Sequence, residues 1–286
     1  QPGGARKEGN ADRPGRARAM PMPSPVAAMT SLSLVLGRPT AHSVTVSVLT
    51  AEPREGYIEY GAAPGRYDSR TTTTSIPAGR PVELLLDRCK PDAEVHYRVL
   101  LRKPGESTFG AEPEHVCHTQ RARGAAFSFQ IQGDSHAERA PRQNNPELYA
   151  RTLAAVAADR PDFYLTIGDD FSVDTLGTPS LAAVSKIYLN QRFYLAQVAQ
   201  SSPLFLVNGN HEQAARCNLD GTPNNVAVWA QTSRNAYFPQ PAPDDFYTGD
   251  HEQVPHIGLL RDYYAWTWGD ALFVVIDPYW HSAQPV

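Results

Sequence analysis

Three apolar runs in this chain stop on a glycine, and each is followed at once by polar groups able to donate to a cation. "FQIQGDSH" ends in Gly133, Asp134, Ser135 and His136. "YLTIGDD" ends in Gly168, Asp169 and Asp170, and "FLVNGNHE" ends in Gly209, Asn210, His211 and Glu212. Glycine lets a strand turn sharply and lets two backbones approach closely. One Gly-Asp after a strand is ordinary turn chemistry. Three in succession, two of them with a histidine close behind, make a pattern that turn preference does not produce.

The segments between these runs explain how they come together. "NPELYARTLAAVAADRP" starts with Asn145 as a cap and Pro146 at the first helical position, with Leu148, Leu153 and Val156 expected on one face. "SLAAVSKIYLNQRFYLAQVAQSS" carries Leu181, Val184, Tyr188, Leu195 and Val198 on a stripe. Strand, helix, strand, helix, strand predicts parallel pairing with right-handed crossovers. The carboxyl ends of such strands share one crevice. Asp134, His136, Asp169, Asn210 and His211 are therefore expected to converge. Carboxylate, amide oxygen and imidazole form a mixed oxygen and nitrogen donor set that suits Fe, Mn or Zn.

Residues before this half read differently. From about 25 to 122, short alternating runs such as "HSVTVSVLT", "EGYIEYG", "VELLLD" and "EVHYRVLLR" are separated by Pro- and Gly-containing turns, which predicts an all-β sandwich. Residues 1–24, rich in Pro, Gly and Arg, read as a disordered lead. After the third run comes a long stretch read as irregular, up to "YYAWTWGDALFVVID", which predicts a hairpin around Gly269-Asp270. Cys89, Cys117 and Cys217 form no CxxC pair. Cys89 and Cys117 read either as small buried hydrophobes or as a disulfide in an oxidising compartment.

The order GDxH, GDD, GNHE resembles the calcineurin-like metallophosphoesterase superfamily. The β-rich lead domain and "YYAWTWGDALFVVID" bring it closer to purple acid phosphatase-like members. "CKPDAEVHYRV", with Tyr97, resembles a strand of a fibronectin type III module, although Val95 stands at that module's corner-tyrosine position. The resemblance implies an α/β fold of the metallophosphoesterase type, an α/β/β/α sandwich, over residues 123–286, preceded by a fibronectin type III-like domain over 25–122. It implies two divalent or trivalent metal ions. Asp134 and His136 would hold the first, Asp169 would bridge, and Asn210 would hold the second. His211 would stabilise the transition state or protonate the leaving group, and Glu212 would orient its neighbours. Asp170 and Asp174 would supply turn or supporting contacts.

The implied activity is hydrolysis of a small phosphate ester by a metal-held hydroxide. Phosphomonoesterase and phosphodiesterase stay open, as does a catalytically incomplete binding module. Two departures from the pattern stand out. Ser172 occupies the position of the purple enzymes' tyrosine ligand, so no purple colour is expected. The later histidine elements of the family are absent from these residues, so the chain reads as the N-terminal part of a longer enzyme with an unpaired sheet edge. His251 and His256 read as solvated loop residues, and His281 as a weak candidate near the crevice. Asn224, Trp229, Arg234 and Tyr237 are loop-region candidates for substrate contact or ordinary packing.

Composition narrows the rest. A net charge of −4 over 286 residues argues against a general nucleic-acid binder. No run reaches the roughly 18 apolar residues of a membrane span. No GxGxxG opens the first helix, which argues against a dinucleotide enzyme. A secreted or extracytoplasmic location is the expectation for this combination of modules. Oligomeric state is left open.

Overall fold

The structure is a computed structural model that describes residues 32–280. The lead at 1–24 and His281 lie outside the described residues. The first half contains β1 (Leu32–Gly37), β2 (Val44–Thr50), β3 (Arg54–Gly61), β4 (Ser69–Arg70), β5 (Thr74–Ile76), β6 (Val82–Leu86), β7 (Glu94–Arg102), β8 (Gly110–Ala111) and β9 (His115–His118). They form two antiparallel sheets. One has the order β1-β2-β6; the other runs β4-β3-β7-β8, with β5 also on β3 and β9 also on β7. Their facing side chains share one core, including Leu36, Val46, Ile58, Leu86, Val95, Tyr97 and Val99. Cys89 and Cys117 lie in this core as free thiols, and burial raises the Cys89 pKa to about 11.

Strict alternation in β2 predicts one wet face, yet every residue of the strand is buried. The second half covers the face that alternation leaves polar. Arg192 reaches across from a helix of that half, fully buried, and donates to the Ser33 and Ser47 hydroxyls at 3.2 and 3.1 Å and to their carbonyls at 3.2 and 2.8 Å. It also donates to the Tyr237 carbonyl. A guanidinium tolerates burial when its N–H groups all find acceptors; burial still pulls its pKa down to about 9. Tyr97 adds a second tie, donating its phenol proton to the Gln200 carbonyl at 2.6 Å.

The second half begins with β10 (Phe129–Gln132), α1 (Pro146–Asp159), β11 (Phe163–Thr166), α2 (Leu181–Ala199) and β12 (Leu204–Leu206). The three strands pair in parallel in chain order, Gln130 opposite Tyr164 and Tyr164 opposite Leu204. Asn145 caps α1, its side chain accepting from the Glu147 and Leu148 N–H groups. The buried face of α1 is Tyr149, Leu153 and Val156; Leu148, expected on that face, is 62% exposed. In α2 the expected Val184, Tyr188, Leu195 and Val198 are buried, whereas Leu181 in the first turn projects into solvent. Both exceptions sit in the first turns of their helices.

The stretch read as irregular holds a helix, α3 (Val226–Tyr237), capped by the Asn225 side chain on the Val228 N–H. It is followed by β13 (Thr248–Gly249), β14 (Gln253–Val254), β15 (Gly258–Leu259), β16 (Tyr264–Trp268) and β17 (Ala271–Val275). The helices cover one face of the parallel sheet, with Leu153, Tyr188, Leu195, Leu204, Leu206 and Ala230 in one core. The β16–β17 hairpin covers the other face, where Phe163 and Phe205 meet Tyr264, Trp266 and Trp268. Phe205 stacks on Trp266 with centroids 4.1 Å apart. Aromatic pairs of this kind add about 0.5–1.5 kcal/mol beyond area burial. The layers are thus helix, parallel sheet and antiparallel sheet.

The outer helical layer of the expected sandwich has no counterpart among the described residues. On that side Leu272, Val274 and Ile276 are 68%, 61% and 66% exposed. β10 and β17 each pair on one side only among the described residues. No helix there is long and apolar enough to cross a membrane.

Candidate metal centre

The tips of the three parallel strands meet because two glycines let them. A Cβ on Gly168, whose φ is 101°, would stand 2.5 Å from the Gly209 N, and a Cβ on Gly209 would collide with the Asp169 carboxylate. Three non-glycine residues at the tips also hold left-handed backbone: Asp134 at φ 53°, His136 at 42° and Asp169 at 58°. Each costs of order 1 kcal/mol or more, and such residues persist where the surroundings impose them.

Glu212 supplies much of that imposition. It is fully buried, and its carboxylate accepts from four backbone N–H groups: Asp169 at 3.2, Asp170 at 2.9, Phe171 at 3.2 and Gly209 at 2.7 Å. One side chain thereby pins the second strand tip to the third. Burial and the Asp170 carboxylate push the Glu212 pKa up to about 8, against the pull of the N–H groups at Asp169 and Gly209. The His211 N–H donates back to Asp169 Oδ1 at 3.1 Å, closing the junction.

Within this frame His136, Asp169 and His211 each bring one ligand atom to within 4.8 Å of the others. Asp134 adjoins them, its Oδ1 3.6 Å from His136 Nε2. His211 Nε2 lies 4.0 Å from Asp169 Oδ2, and the two imidazoles meet edge to face with centroids 5.2 Å apart. Asn210 borders an adjoining cavity with Gln213, Ala214, Ala215, Cys217, Asn218 and Tyr279. Its carbonyl accepts from Gln213 Nε2.

The other ring nitrogens are already committed. His136 Nδ1 is 2.6 Å from the Ser172 hydroxyl. His211 Nδ1 is 2.7 Å from Asp174 Oδ2 and 2.8 Å from an Arg139 Nη. Arg139 also donates to Asp174 at 3.1 Å, so the pair holds His211 Nδ1 in either tautomer, Asp174 accepting from an N–H and Arg139 donating to a bare nitrogen. With Nδ1 engaged, each ring turns Nε2 toward the acidic groups. This is how metal-ligating histidines are usually held. Two imidazole nitrogens beside carboxylate oxygens fit a borderline transition metal.

Several of these partners carried no distinctive sequence signal. Ser172, which departs from the purple-enzyme pattern, serves instead to orient His136. Asp174 is a tether for His211, and Asp170 belongs to the support below the site. Asp170 is fully buried, accepts from the Ser135 hydroxyl at 2.5 Å and from Gln132 Nε2 at 3.0 Å, and has its pKa raised to about 6 by burial. Gln191 of α2 extends that network to Ser135 and Tyr149. A glutamine followed by an arginine in the middle of an apolar helix stripe was the available clue.

Other sequence candidates fall elsewhere. His251 and His256 are exposed. Arg234 is fully buried in α3 and donates to the Arg261 and Leu206 carbonyls at 2.7 and 2.8 Å, so it is a structural tie and not a substrate contact. Trp229 and Tyr237 pack against the helical core. Asn224 is exposed.

No family model matches the chain, and no curated protein matches it. Solved structures do. The chain is similar to purple acid phosphatase PPD1 from yellow lupin (Lupinus luteus) seeds at a TM-score of 0.58 and 16% identity, over 86% of this chain and 44% of that one. It is similar to PhoD at a TM-score of 0.54 and 15% identity, over 86% of this chain and 51% of that one. The chain spans about half the length of these structures. At such identities the likeness is one of fold: most of this chain shares the architecture of a purple acid phosphatase and of PhoD.

Proposed function

We propose that this chain carries the metal-binding face of a phosphoesterase that hydrolyses small phosphate esters, with a fibronectin type III-like module in front of it. The observation that carries the reading is the convergence of His136, Asp169 and His211 at three strand tips, both imidazoles held by their Nδ1 atoms. Asp134, His136, Asp169 and Asn210 would hold two ions of Fe, Mn or Zn. When bound, such ions supply a hydroxide at neutral pH and offset charge on the phosphoryl group.

The remaining roles follow from this chain's own groups. Asp169 stands on the middle strand, between the other tips, which suits a shared carboxylate. His211, tethered by Asp174 and Arg139, presents Nε2 toward the reacting centre. Protonated there, it would donate to a developing alkoxide or to a phosphoryl oxygen. Glu212 keeps the tips in register, so the donors need no rearrangement before the reaction.

The test uses p-nitrophenyl phosphate and its bis-ester with Mn2+, Zn2+ or Fe added back, together with calorimetric metal titration. The reading expects metal binding by the wild type and loss of it in Asp169→Ala. It expects hydrolysis to fall at least a hundredfold in His211→Ala, the scale of a lost general acid. Unchanged metal binding in Asp169→Ala would end it. The ratio of mono- to bis-ester turnover decides between phosphatase and phosphodiesterase.

A further inference from the structure

Beyond β17 the chain makes a turn that is fastened on both sides of one half-buried tyrosine. Asn208, just before the third strand tip, donates to Asp277 Oδ2 at 2.8 Å. Asp277 Oδ1 in turn accepts from the Tyr279 and Trp280 N–H groups at 3.0 and 3.1 Å. Trp280 is fully buried in a small core with Ala227, Val254 and Leu260, and the Arg216 guanidinium lies 5.7 Å from its ring centroid. Asp277 and Trp280 account for the anchoring. Tyr279, between them, is left over.

Tyr279 lines the cavity that Asn210 borders. Two of the cavity's side-chain amides are engaged with backbone: Gln213 Nε2 donates to the Asn210 backbone carbonyl at 2.9 Å, and Asn218 Nδ2 to the Gln213 backbone carbonyl at 3.0 Å. The Arg139 guanidinium, on the far side of His211, is engaged by Asp174 and Gln143. The Tyr279 hydroxyl makes no hydrogen bond among the described residues. Of the candidate ligands, Asn210 shares that cavity with it.

We propose that Tyr279 is a substrate-binding residue of this site, its O–H donating to a non-bridging oxygen of the phosphoryl group. The inference rests on the phosphoesterase reading. Partial burial and the Asp169, Glu212, Asp277 and Asp134 carboxylates all raise the phenol's pKa. A neutral donor would also add no charge to the centre.

The experiment titrates inorganic phosphate into the full chain loaded with Mn2+, for wild type, Tyr279→Phe and Tyr279→Leu. Tyr279→Phe should weaken phosphate about tenfold, the scale of one hydrogen bond to a charged acceptor. Mn2+ affinity and Tm should not move, and Leu should lose no more than Phe. Phosphate affinity within twofold of wild type in Tyr279→Phe overturns the proposal. A further loss in Leu also overturns it, since the ring face would then be the contact. Loss of Mn2+ in Tyr279→Phe, or a visible ferric band that this variant abolishes, would make the phenol a ligand and overturn it too. A wild type that binds no Mn2+ defeats the phosphoesterase reading itself, a result distinct from all of these.

Discussion

Replacing Glu212 by Gln is the sharpest test of how the strand tips are held. The carboxylate is fully buried; Oε1 accepts from Asp170 and Phe171, and Oε2 from Asp169 and Gly209. A glutamine amide keeps one oxygen and so two of the four bonds. The other two N–H groups then face an NH2 group that cannot accept. A buried donor left unsatisfied costs about 1–3 kcal/mol, so the loss is roughly 2–6 kcal/mol. Gln also removes a carboxyl whose ionisation burial penalises, which draws the expectation toward about 2–4 kcal/mol. Urea unfolding at about pH 9, above the folded pKa so that the group is the fourfold acceptor, reads the total, and amide exchange at Asp169, Asp170, Phe171 and Gly209 reads where it falls. The pH dependence gives a second handle. Because the folded pKa lies near 8, above the ordinary 4.5, the stability linked to this group is complete below about 4.5 and drains away as pH rises through 8. The Gln variant should lack that decline. Stability within about 0.5 kcal/mol of wild type, with the four amides still protected, would refute the idea that this side chain clamps the tips.

Four further outcomes are expected. Asp262 is buried, and burial and Asp277 raise its pKa, so the wild type should lose stability as pH rises above the ordinary carboxylate range; Asp262→Asn should flatten Tm against pH there. Arg192→Ala should cost about 3 kcal/mol or more by stranding the Ser33, Ser47 and Tyr237 acceptors, read by denaturant unfolding; a change below about 1 kcal/mol would count against that tie. Gly168→Ala, at φ 101° with no room for a Cβ, should cost well over about 1 kcal/mol and weaken metal uptake measured by calorimetry. Val274→Glu, on the exposed outer side of β17, should change stability by no more than about 0.5 kcal/mol while lowering any self-association seen by analytical ultracentrifugation.

The parallel βαβαβ order was legible because helix caps and apolar runs are local signals. Asn145 and Pro146 mark the start of α1, and "LFL" marks β12 as clearly as any strand can. The crevice was legible for the same reason: glycine followed by Asp or Asn is written into the strand tips themselves. What escaped the sequence depends on pairs remote along the chain. α3 was missed because its stripe, Ala227, Val228, Ala230, Gln231 and Arg234, buries polar groups that find partners only in the folded chain. Ser172 looked like a lost ligand, since nothing local says that its hydroxyl will meet His136. The full burial of β2 was hidden too, because the cover for its polar face comes from a helix some 140 residues later.

The guanidinium of Arg192 has a bearing on how this polypeptide can be cut. It sits in one half and spends most of its donors on the other. Expressed alone, the helical half would lose the Ser33 and Ser47 oxygens that fix Arg192 and open that face of α2 to water, and the N-terminal sheets would show the hydroxyls and apolar flank of β2 to water. Neither piece should behave as an autonomous unit, however modular the alternation of strand-rich and helix-rich segments looks on paper. A protease should nick loops without releasing a stable half.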